Sequence, residues 1–119
     1  MKQRDHHLYL QDILDAIHDI WEFVQGLSYE QFVADKKTRN AVVHSLETIG
    51  EAAKSIPRSV RDRYPTIPWS DMARMRDKLS HGYWGIDYEI VWKVVKEKLP
   101  SVEQEVREAL KKEREGQTP

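Results

Sequence analysis

DHHLYLQDILDAIHDIWEFVQG, Asp5 to Gly26, decides the fold class of this 119-residue chain. Leu10, Ile13, Leu14, Ile17, Ile20, Trp21 and Val24 recur at spacings of three and four, which puts them on one face of a helix. The spacing predicts an amphipathic helix from Asp5 to Gln25, with Gly26 as its stop. The same period returns further along the chain, and no stretch alternates apolar and polar residues as a half-buried strand would. The expected architecture is therefore all-α, an antiparallel four- to five-helix bundle with short connections.

Ser28 and Gln31 match a capping box, so a short helix through Phe32 and Val33 is expected before Asp35. From Asp35 a second long helix carries Val42, Val43, Leu46, Ile49, Ala53 and Ile56 on its stripe and ends at Pro57. Gly50, Ala52 and Ala53 would let another helix, such as the one after Pro68, approach closely. Residues 57–68 hold three prolines and alternating Arg and Asp, and read as a connection with one helical turn at Ser59 to Tyr64 rather than as part of the core. Pro68 opens a helix bearing Trp69, Met72, Ala73, Arg76, Leu79 and Ser80. Asp87 caps a last helix through Ile90, Val91, Val94, Val95 and Lys98, where Pro100 is expected to break or kink the run before Val102, Val106 and Leu110. Residues 1–119 read as one domain with a charged tail fraying from about Lys111.

The totals exclude several classes. Without cysteine there are no disulfides or thiolate metal sites, and the N-terminus lacks the apolar run of a signal peptide. No run of apolar residues is long enough to span a membrane, so a cytoplasmic protein is expected. A net charge of −1 offers no general attraction to nucleic acid, so any RNA contact must come from a local cluster.

One such cluster is RDKLSHGYWGID, Arg76 to Asp87. On an ideal helix Arg76 and His81 stand about 140° apart, whereas Arg76 aligns with Tyr83 and Asp77 with His81. Unwinding at Gly82 would free His81 and Tyr83 to turn toward Arg76. A guanidinium fork binds phosphate oxygens and an imidazole moves protons near neutral pH. RNA brings its own nucleophile in the 2′-hydroxyl, so this pair is a workable kit for metal-free cleavage, with Asp77 orienting His81. Taken alone, an Arg and a His near a helix end are more often a surface ion pair and a helix-dipole histidine, with Tyr83, Trp84 and Tyr88 as packing.

Other clusters carry less. His44, Glu47 and Glu51 share a face but lack the repeated Glu-x-x-His pattern of bundle metal sites. His6 and His7 lie near a terminus and His18 on the polar side of the first helix, a placement that argues against metal ligation. Arg58, Arg61 and Arg63 interleave with Asp62 and Tyr64, as a solvated connection or an RNA-backbone contact would.

The motif gains weight from its setting. RDKLSHGY fits an Arg-x4-His-x-Tyr pattern, and it lies in RYPTIPWSDMARMRDKLSHGYWGID, between TRNAVVHSLETIGEAAKSIP and DYEIVWKVVKEKLP. Together these blocks resemble the HepT-like HEPN-domain proteins, the toxin half of a toxin–antitoxin pair, from roughly Leu8 to Val106. The resemblance implies a homodimeric, metal-independent endoribonuclease toxin of a type VII-like system. Arg76 would hold the scissile phosphate, His81 would act as general acid or base, and Asp77 would fill the polar position after the motif arginine. Tyr83 would be the residue to which an MntA-like nucleotidyltransferase antitoxin attaches AMP, placing an anion in the phosphate site. ATP and magnesium would belong to that partner, and this chain would need no cofactor. A twofold axis would gather two copies of Arg76 and His81, with Lys78, into one cleft. Trp69, Tyr83, Trp84, Tyr88 and Trp92 fit such an interface or the core equally well. The alternative is a non-catalytic helical module that docks a nucleotidyltransferase and presents a nucleotide or substrate to it.

Overall fold

Asp5 opens the first helix by accepting the backbone N–H of His7, and α1 runs His6–Val24. The computed structural model describes residues 4–80 and 85–116. Six residues of α1's apolar face are at most 5% exposed, from Leu10 to Ile20, so the predicted stripe is the buried one. Gly26 adopts φ +77°, a conformation that side chains resist, and Leu27 N–H closes the turn on the Val24 carbonyl at 2.9 Å.

The Ser28 box forms in full: Gln31 N–H donates to Ser28 Oγ at 3.1 Å and Ser28 N–H to Gln31 Oε1 at 2.9 Å, starting α2 at Tyr29–Ala34. Asp35 caps α3, Lys36–Ser55, through Thr38. The long helices α1 and α3 pack together, α7 (Leu99–Glu115) covers α1, and the helix carrying the arginine motif, α5 (Trp69–Ser80), lies along α3. Each fully buried Leu or Ile in this core contributes roughly 1.5–3 kcal/mol.

Residues 57–68 depart from expectation. They form α4, Arg58–Arg63, and bury Val60 and Ile67 in the core, while Trp69 donates its indole N–H to the Tyr64 carbonyl at 3.0 Å. Apolar residues set far apart among prolines and charges carry no period, which is why the segment reads as a mere connection.

The last helix starts at Asp87, which caps Glu89 and Ile90. It comprises α6, Tyr88–Lys93, a π-helical turn, Val94–Lys98, and α7, Leu99–Glu115. Pro100 lacks an N–H and its ring crowds the preceding turn, and the widened turn absorbs this without ending the helix. The helix continues past Lys111 to Glu115, with Glu113 only 9% exposed at its side chain. Tyr88 and Trp92 pack against Phe32, with Arg39 stacked over Tyr88 and Lys96 over Trp92. Of the aromatic residues near the motif, Trp69, Tyr88 and Trp92 are thus part of the packing. No helix among the described residues is long and apolar enough to cross a membrane.

Candidate active site

Arg76 is placed by an absence of atoms. A Cβ at Gly50 would stand 2.2 Å from Arg76 Cβ and 2.6 Å from the Met72 carbonyl oxygen, so only glycine lets α5 lie this close to α3. The small-residue run in α3 therefore does what its spacing suggested, and it seats the motif arginine directly on the seam between the two helices. The helices run antiparallel: Lys54 faces Asp77, Gly50 faces Arg76, and Glu47 accepts from Ser80 Oγ at 3.3 Å.

The charges on this seam are shared rather than buried. Asp77 Oδ1 accepts from Arg76 Nη1 at 3.3 Å and from Lys54 Nζ at 3.2 Å. Lys54 first, and Arg76 second, hold the Asp77 carboxyl below the usual carboxylate range. The Arg76 side chain is 30% exposed, enough to reach a phosphate, while its stem stays pinned to α3. Because Lys54 takes part of the Asp77 charge, the Arg76 fork is not consumed by its neighbour and keeps N–H donors for an incoming anion.

Lys54 escaped notice in the sequence: it is 23 positions from Asp77, and only the antiparallel seam joins them. Glu47 was noticed only as part of a doubtful metal face with His44 and Glu51; its described hydrogen bond goes to the motif helix at Ser80. His81, Gly82 and Tyr83 lie outside the described residues, as does Trp84. The backbone beyond them re-enters at Gly85 with φ +110°, again a conformation suited to glycine.

Three of the other sequence candidates have structural partners. His18 is exposed and bonded to Glu103 at 3.2 Å, Arg58 pairs with Asp62, and Arg63 closes on Glu113. The helix on which Arg76 sits, and the helix against which Gly50 seats it, both fall inside a match to a known family model. Residues 13–109 fit the model described as ribonuclease HepT-like.

The chain belongs to the HepT-like ribonuclease family. The resemblance read from the motif blocks is thereby established, and the family's enzyme class is that of an RNase. Curated relatives agree over nearly the whole length. A probable ribonuclease HepT of Thermococcus cleftensis is 51% identical over 100 residues, covering 84% of this chain and 91% of the relative. A putative RNase of Methanocaldococcus jannaschii is 45% identical over 111 residues, 93% of this chain and 92% of its own. Another, from Caldanaerobacter subterraneus subsp. tengcongensis, is 42% identical over 106 residues, 89% of this chain and 95% of its own. No solved structure matches. The all-α bundle is the architecture expected of a HepT-like HEPN domain.

Proposed function

We propose that this HepT-like chain is a metal-independent endoribonuclease toxin, acting as a homodimer through Arg76 and His81 and silenced by AMP transfer to Tyr83. The observation that carries the reading is the seating of Arg76 on Gly50, with its neighbouring carboxylate shared by Lys54. That arrangement keeps a partly exposed guanidinium in a fixed place, as a phosphate clamp requires. In the proposed reaction the RNA 2′-hydroxyl attacks the adjacent phosphorus and the 5′-oxygen leaves. Arg76 stabilises the added charge on the phosphoryl oxygens, and His81 transfers a proton to or from the reacting oxygens.

A second protomer would raise the local positive charge that a nearly neutral chain lacks, and would supply a second Arg76 and His81. The partner is an MntA-like nucleotidyltransferase antitoxin that brings ATP and magnesium. AMP on Tyr83 would set a phosphodiester anion against Arg76 and bar RNA by charge and bulk.

The test is cleavage of end-labelled RNA by the purified chain in excess chelator, beside Arg76→Ala and His81→Ala. Cleavage that survives chelation and is lost in both variants supports the assignment. Undiminished cleavage in either variant overturns its catalytic role. A stable complex with the antitoxin and a modified Tyr83, without RNA cleavage by the free protein, would favour the binding-module reading.

A further inference from the structure

Away from the α3–α5 seam, the first turn of α1 gathers Asp5, His6 and His7, and one donor atom from each lies within 4.8 Å of those of the other two. The His6 ring bridges two carboxylates: Nε2 is 2.9 Å from Glu113 Oε1, and Nδ1 is 3.9 Å from Asp5 Oδ1. With Nε2 donating its hydrogen to Glu113, the neutral ring leaves its Nδ1 lone pair on the Asp5 side. The His7 ring stands beside that of His6, with its Nδ1 on Asp5 Oδ1.

Glu113 therefore holds the His6 imidazole through its side chain. It is itself fixed by Arg63 Nε at 3.1 Å and Nη2 at 2.5 Å, and by the Tyr64 hydroxyl at 2.5 Å. A carboxylate or carbonyl on the far nitrogen is the device that orients histidines toward a metal.

We propose that Asp5, His6 and His7 form a binding site for a divalent cation of the zinc class, with Glu113 orienting the His6 imidazole. Two imidazole nitrogens and one carboxylate oxygen are the donor types that Zn2+ accepts, and three protein ligands leave a fourth position for water. The ion takes the place of the direct contact between His7 Nδ1 and Asp5 Oδ1. The positive end of α1 opposes a cation, and the Asp5 carboxylate offsets it, which points to moderate rather than extreme affinity. All the residues involved belong to α1, α4, α7 and their boundaries, none to the motif helix. The ion would fix the first turn of α1 and take no part in RNA chemistry.

Calorimetric titration of the intact, tag-free protein with Zn2+ tests this. The expected result is about one ion per chain and a raised melting temperature. Affinity should fall by more than about 50-fold in Asp5→Ala and in His6→Ala, and stay unchanged in His18→Ala. Glu113→Gln keeps all three ligands and should weaken binding about 10- to 100-fold. The absence of saturable binding, or binding that persists in an Asp5→Ala, His6→Ala double variant, would overturn the proposal. Should His7→Ala fail to fold, exposed Asp5 and half-buried His6 still decide the matter.

Discussion

The α3–α5 seam and the clasp around Glu113 use the same kinds of side chain for opposite ends. On the seam, the Asp77 carboxylate is 48% exposed and the Lys54 side chain beside it 46%, so water screens their attraction. In the clasp, Glu113 is 9% exposed and takes bonds from Arg63, Tyr64 and His6, drawn from α4, its C-terminal boundary and α1. Exposed pairs contribute little to stability but remain free to exchange partners, whereas a nearly buried carboxylate with several donors is committed. What is precise on the seam is the backbone approach at Gly50, not the ion pairs. The proposed phosphate clamp thus depends on steric placement at Gly50, whereas the clasp depends on a polar knot elsewhere.

The sharpest way to break this division is Arg76→Ala. RNA cleavage should fall by about 10²- to 10³-fold or more, while the unfolding free energy changes by less than about 1 kcal/mol. A large loss of stability in denaturant melts would show that the seam is structural after all. Gly50→Ala asks the converse question. Its Cβ cannot coexist with Arg76 Cβ at 2.2 Å, so α5 must shift, at a cost of about 1–3 kcal/mol. Cleavage should drop with stability, and the loss should exceed that of Ala53→Gly, which removes bulk from α3 without touching Arg76.

In the clasp, Glu113→Gln should cost about 1–3 kcal/mol with cleavage per folded molecule unchanged. The Arg63 hydrogen bond first, with those from Tyr64 and His6, lowers the Glu113 carboxyl from 4.5 to about 2 against the opposing effect of burial. Its contribution is fully present above pH 4.5 and is lost as the pH falls from 4.5 toward 2. The wild type should therefore show a steeper loss of stability over that window than Glu113→Gln, measured by urea melts at each pH. The smallest effect is expected at Lys54→Met. Stability should move by less than about 0.5 kcal/mol, while the apparent RNA affinity weakens by several-fold as Asp77 draws more fully on Arg76. Unchanged RNA affinity would mean that Lys54 has no bearing on the clamp.

The sequence was most informative where the physics is local. The Ser28 and Gln31 box, the helix start at Asp35, the Asp87 cap and the stripe of α1 each depend on residues within a turn or two, and each forms as read. Gly50 was legible as a place of close approach because small residues have few other uses on an apolar helix face. The clasp was not legible, since His6 and Glu113 are 107 positions apart and Arg63 lies 50 from Glu113. A histidine pair near a terminus looks idle until the far end of the chain is laid beside it. Lys54 was hidden for the same reason: its partner is set by how α3 and α5 pair, not by any spacing within either.

The π-helical turn at Val94–Lys98 sets the phase of everything that follows it. Each residue of a helix advances the next by about 100°, so deleting one residue within 94–98 would rotate α7 by that angle relative to α6. Val102, Val106 and Leu110 would turn away from the core, and Glu113 would swing out of reach of His6 and Arg63 in the same motion. The extra width tolerated around Pro100 is thus a timing element: it decides which side of the final helix meets the start of the chain.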